Sequence, residues 1–96
     1  MKFRHGDVLI KKIDVIKGKK LNHLVLAEGE VTGHAHRITQ GEAELYEQDG
    51  VLYLHVESEE ALLTHEEHKP IALPKGDYEI TIQRTYTPSG WLKVAD

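Results

Sequence analysis

Ala43-Glu44-Leu45-Tyr46-Glu47-Gln48-Asp49-Gly50-Val51-Leu52-Tyr53-Leu54-His55-Val56 reads as two strands joined by a turn. Asp49-Gly50 tolerates positive φ at both positions, which favours a tight hairpin between the runs Ala43 to Tyr46 and Val51 to Val56. Outward from this hairpin the same pattern recurs: short period-two apolar stretches broken by Gly, Pro and Asp. Asp7 to Ile13 gives a first strand with Val8 and Ile10 on one face, and Lys17-Gly18-Lys19-Lys20 a turn. Leu24 to Ala27 and His34 to Thr39 are the next strands, joined through Gly29 and Gly33. Pro74-Lys75-Gly76-Asp77 reads as a further turn feeding Tyr78, Ile80, Ile82, Arg84 and Tyr86 on one side of a strand. Trp91 to Val94 follows the turn Pro88-Ser89-Gly90. Ser58 to His68 reads either as a short helix capped by Ser58 or as a strand, Ala61 to Thr64, followed by a turn. The β setting favours the strand. The expectation is a single antiparallel all-β domain over residues 1–96.

The chain has 96 residues and a mass of 10.9 kDa, room for one domain. No apolar run approaches the ~20 residues of a membrane span, and Met1 to Asp7 lacks the apolar core of a signal peptide. The expected location is therefore cytoplasmic. There is no cysteine, which excludes disulfides, thiolate metal sites and cysteine nucleophiles. The net charge of −4 is unevenly spread. Seven of the twelve Lys and Arg lie in residues 1–20, whereas Gly41 to Glu67 holds nine acidic residues and no Lys or Arg. Such an acidic stretch repels phosphate backbones and argues against nucleic acid as a partner. The Lys11 to Lys20 stretch reads as a solvated hairpin whose edge is protected by lysines.

Against the missing cysteines stand seven histidines. His34-Ala35-His36 places two imidazoles on one face of a strand, where both can reach one cation. His65-Glu66-Glu67-His68 places two more at i and i+3, which meet on a turn. Together, His34, His36, His65 and His68 form the candidate metal shell, with Glu42, Glu66 and Glu67 near in sequence. Nitrogen and oxygen donors of this kind suit a divalent Zn, Fe, Mn or Ni ion. His55 alternates with Val51 and Tyr53 and is a candidate for the rim of the same cavity. His5 and His23 sit beside charged and turn residues and read as surface. Other chemistry is screened out by motif: neither Ser58 nor Ser89 lies in a Gly-x-Ser-x-Gly elbow, and no phosphate-binding glycine loop occurs. Arg84, beside Tyr78 and Tyr86 in the alternation, is a candidate clamp for a ligand carboxylate.

The string Gly29 to His36, Gly-x-x-x-Gly-His-x-His, with Pro74-Lys75-Gly76 downstream, resembles the small metal-binding β-barrels of the cupin superfamily. That resemblance implies a jelly-roll barrel with His34 and His36 as ligands of a divalent metal and Glu42 as the following glutamate. Five residues separate His36 from Glu42, and Asp77-Tyr78-Glu79 supplies no counterpart to the third cupin histidine. The stretch Leu63 to Arg84 also resembles a small uncharacterised bacterial family. The function expected is a metal-binding β-barrel with a small-molecule ligand, the reaction, if any, left open. The alternative is a binding or assembly module without metal, whose basic start and acidic middle meet in a homo-oligomer.

Overall fold

A computed structural model describes residues 2–28 and 33–82, together with the backbone of residues 84–87 and 90–93. The described elements are antiparallel strands: β1 (Lys2–His5), β2 (Val8–Ile13), β3 (Lys19–Lys20), β4 (Val25–Glu28), β5 (Ala35–Gln40), β6 (Ala43–Gln48), β7 (Val51–Thr64), β8 (Ile71–Ile82), β9 (Arg84–Thr87) and β10 (Gly90–Lys93). The all-β expectation holds, and Ser58 to Thr64 is strand rather than helix. Among the described residues no helix is long and apolar enough to cross a membrane.

Two tight turns start the sheet. Asp49 and Gly50 both have positive φ (53° and 79°), the signature of the primed turn that joins β6 to β7. Gly6-Asp7 makes a second two-residue hairpin, with Gly6 at φ 64° and His5 opposite Val8. This hairpin adds a strand, β1, that the apolar alternation of Val8 and Ile10 did not announce.

The long hairpin of β7 and β8 organises everything else. Val51 to Val56 pairs with β6, whereas Leu62 to Thr64 pairs with β5 further along the same edge. The main path runs β1-β2-β8-β7-β5-β4, with β6 and β3 branching from β7. β9 and β10 form a separate two-stranded ladder. The expected barrel closure is absent: no pairing among the described residues joins the outer strands β1 and β4. The physical reason is the branching, because a sheet that divides along β7 folds as two arms over one core rather than as a ring.

The division occurs at a bulge. Val56 faces Gly76 and Glu60 faces Pro74, so β7 spends four residues where β8 spends two. The extra backbone groups are satisfied locally. The amides of Glu57 and Ser58 donate to the Glu42 carbonyl at 2.8 and 3.3 Å. Ser58 Oγ accepts the Glu42 amide at 2.9 Å and donates to the Glu60 carbonyl at 2.7 Å. Pro74 to Asp77, read from sequence as a reversal, therefore lies inside β8. The bulge opposite, with Gly76 at φ 146°, lets the strand bend without turning back.

Both arms contribute to the core. Leu54, Val56, Ala61 and Leu63 of β7 are buried, with Leu73, Tyr78 and Ile80 of β8, Val8 and Ile10 of β2, Leu26, Ile38 and Leu45. Phe3 packs edge-to-face on Tyr78 at 6.1 Å, whose hydroxyl donates to the Pro74 carbonyl. The lysines of β3 are exposed, as expected for a protected hairpin edge, and Lys20 pairs with Glu44 at 2.8 Å.

Three substitutions test this account by chemical denaturation. Leu54→Ala in the core should cost about 2–5 kcal/mol. Gly50→Ala, at positive φ in open space, should cost roughly 1–2 kcal/mol from the backbone alone. Gly41→Ala should cost clearly more than Gly50→Ala, because its Cβ would stand 2.5 Å from the Glu60 carbonyl oxygen at the bulge.

Candidate metal centre

Three segments meet beside the β7–β8 connection. β5 pairs with β7 so that Arg37 faces Thr64. Continued one step at a time, that antiparallel register sets His36 against His65, Ala35 against Glu66 and His34 against Glu67. The contacts follow it. The rings of His36 and His65 are 4.4 Å apart between centroids, and the Ala35 amide donates to Glu66 Oε1 at 2.9 Å. His34 Nδ1 lies 2.9 Å from Glu67 Oε2, without the alignment of a hydrogen bond. The third segment is the Gly6-Asp7 hairpin, which delivers His5 and Asp7.

The result is a cluster of five imidazoles. His5 stands 4.9 Å from His36, 5.6 Å from His68 and 6.5 Å from His65, between ring centroids. His65 stands 4.8 Å from His68 and 5.6 Å from His34, and His36 stacks on His68 at 5.7 Å. His36 is fully buried, and His5 and His65 are nearly so. All four histidines of the expected shell, His34, His36, His65 and His68, are thus brought together.

His5 belongs with them, contrary to its reading as a surface residue. Its Nδ1 is 2.8 Å from His36 Nδ1, and its Nε2 is 3.0 Å from the Lys69 carbonyl. The neglected signal was Gly6-Asp7, a hairpin dipeptide that turns the chain back and buries the residues on either side. Burial, with His68 and His65 close by, holds the His5 pKa below the ordinary imidazole value, against the opposing pull of the Lys69 carbonyl. Asp7, also fully buried, places Oδ1 3.3 Å from His36 Nε2.

Carboxylates rim the outer side of the cluster. Glu66 is fixed by the Ala35 amide and lies 3.6 Å from Arg37. Backbone amides of Ala35 and of Glu66 itself, then Arg37, hold its carboxyl below the usual range. One nitrogen each of His34 and His65 and one Glu66 oxygen lie within 4.8 Å of one another. The His65 Nδ1 accepts the Glu67 amide at 3.0 Å, and His68 Nε2 is a buried atom with no hydrogen-bond partner among the described residues.

The remaining candidates fall elsewhere. Glu42 is exposed and its backbone braces the bulge. His23 is exposed, as expected. The Arg84 side chain lies outside the described residues, as does Gly29 of the cupin-like string. His55 makes no ring contact with the cluster; it is held between Asp77 at 2.6 Å and Glu57 at 2.5 Å, with Glu44 opposite it on β6.

A family model described as a domain of unknown function (DUF8820) matches residues 4–83. The chain belongs to that family, and the match includes every residue of the cluster. No curated protein and no solved structure matches the chain.

The His55 arrangement sets a pH dependence. Asp77 first, then Glu57, raise its pKa above the ordinary value. A histidine whose folded-state pKa is raised contributes its full stabilisation below the unfolded value of ~6.5 and loses it as pH climbs through the folded value. The stability difference between wild type and His55→Gln should therefore be largest near pH 6 and shrink towards pH 9, measured by urea denaturation.

Proposed function

We propose that this member of the family is a divalent-metal-binding module, its ion seated where the entry of β5 meets the 65–68 segment. His34, His65 and Glu66 supply the donors. The observation that carries this reading is the convergence of two imidazole nitrogens and one carboxylate oxygen within 4.8 Å, from segments far apart in sequence. Donor atoms on one ion at ~2.0–2.2 Å lie somewhat closer together than this, so the side chains need to shift inward by small rotations only. Glu66 is kept ionised by its amide contacts, ready to act as a ligand. A two-histidine, one-carboxylate set suits Fe, Mn, Zn or Ni.

Three protein donors leave coordination positions open, which suits a functional site better than a closed structural one. A small ligand binding through oxygen fits those positions, and an ion there would polarise it or activate a water. The reading keeps from the cupins the His-x-His entry to a strand. It departs from them in drawing the partner histidine from the segment before Pro74, so His34 and His65 replace the cupin arrangement across the later turn.

Tag-free protein should carry or take up at least one equivalent of transition metal by elemental analysis. At a hundred times Kd, binding contributes about 2.7 kcal/mol. For a chain of this size that raises the thermal midpoint by roughly 10–20 °C. The His34→Ala/His65→Ala variant should lose an equivalent. Absence of binding and of any thermal shift with Zn, Mn, Fe or Ni overturns the reading, as does unchanged binding in the double variant.

A further inference from the structure

We propose that the ligand of the ion is a small carboxylate, held jointly by the ion and by the guanidinium of Arg37. The inference rests on the metal-binding reading above and adds the chemical class that the open coordination positions take. Arg37 stands at the entry of β5, in contact with both sides of the donor set. Its Nη2 donates to the Gly33 carbonyl, beside His34, at 3.5 Å, and its Nη1 lies 3.6 Å from Glu66 Oε2. The Ala35 amide takes Glu66 Oε1, so Oε2 is the oxygen nearer the guanidinium.

These contacts leave much of the guanidinium unused. An arginine carries five N–H donors in a planar fork. Both Arg37 contacts are longer than the ~2.7–2.9 Å of a charge-assisted hydrogen bond. Its Nε has no hydrogen-bond partner among the described residues. The side chain is 39% exposed, so a solute can reach it. Space is open beside it as well, because a Cβ added at Gly33 would meet nothing within 4 Å.

Distance and charge select the same class. An ion ~2.0–2.2 Å from Glu66 Oε2 lies no more than roughly 6 Å from Arg37 Nη1. A carboxylate with one oxygen on the ion and the other ~2.8 Å from the guanidinium bridges a gap of that size. With neutral imidazole ligands, a divalent ion and Arg37 outweigh Glu66 and Glu67 by one positive charge. One carboxylate neutralises that excess, whereas a phosphate dianion overshoots it. Glu67, 2.9 Å from His34 Nδ1, repels the more highly charged ligand further.

Titration of Co(II)-loaded, tag-free protein with glycolate, ethylene glycol and inorganic phosphate, read by the visible Co(II) spectrum, tests this. Wild type should bind glycolate saturably and more tightly than either other probe. Arg37→Ala should keep its Co(II) by elemental analysis and bind glycolate roughly 10–100-fold more weakly. If loss of the charge beside Glu66 also costs Arg37→Ala its Co(II), Arg37→Lys decides. That variant should hold the ion and bind glycolate several-fold more weakly than wild type, because an ammonium cannot form the planar fork. Bound Co(II) with no response to glycolate overturns the inference and leaves the metal reading standing, as does an unchanged glycolate affinity in the deciding variant. Ethylene glycol or phosphate binding as tightly as glycolate overturns the carboxylate assignment. Failure of wild type to bind Co(II) overturns the inference and the metal reading together.

Discussion

Everything in this domain depends on the phase of the bulge in β7. In a strand, successive side chains alternate between faces, so a slip of one residue sends the apolar set to the wrong side. Val56 and Ala61 are both buried although five positions apart, an odd step that uninterrupted alternation would place on opposite faces. β8 makes the same odd step from Leu73 to Tyr78. The bulge and the Gly76 bend absorb the phase change in both strands together, so each arm keeps its apolar face on the shared core. Without it, one arm would have to expose its apolar face or unpair.

That bend also places the histidine cluster. By dividing the edge of β7 between β6 and β5, it fixes β5 against the last residues of β7, and the Arg37–Thr64 register then carries His34 and His36 past the ladder's end onto His65 and the carboxylates that follow. Polar groups of this kind are costly to bury unless paired. Here they sit where strands stop and backbone hydrogen bonding gives way to side chains: the Ala35 amide, at the first residue of β5, goes to Glu66, and the Lys69 carbonyl goes to His5.

Local chemistry was readable in the sequence to the extent that it was local. Asp49-Gly50 declared its hairpin, and the two short-spaced histidine pairs declared themselves as partners for one another. Long-range placement was not readable. Nothing in the neighbourhood of His5 says that it meets His36 across 31 positions, because that contact depends on β1, β2, β8, β7 and β5 lying in one order. Pro74-Lys75-Gly76 misled for a related reason. The same residues serve a reversal or a bend, and the choice is made by the strand opposite, whose surplus residues at Glu57 to Glu59 take up the curvature. Barrel closure was likewise a property of the whole ladder, which the branching at β7 prevents.

The hydrogen bond from His5 to the Lys69 carbonyl joins residues 64 positions apart. β1 is a four-residue strand that, among the described residues, pairs on one side only, with β2. Edge segments with so few hydrogen bonds are where native proteins fray first. Lifting β1 withdraws His5 and unseats the turn that holds Asp7, uncovering His36. Solvent access to the buried end of the cluster is therefore governed by the breathing of an edge strand, and amide hydrogen exchange at Phe3 and His5 should mark how often that door opens.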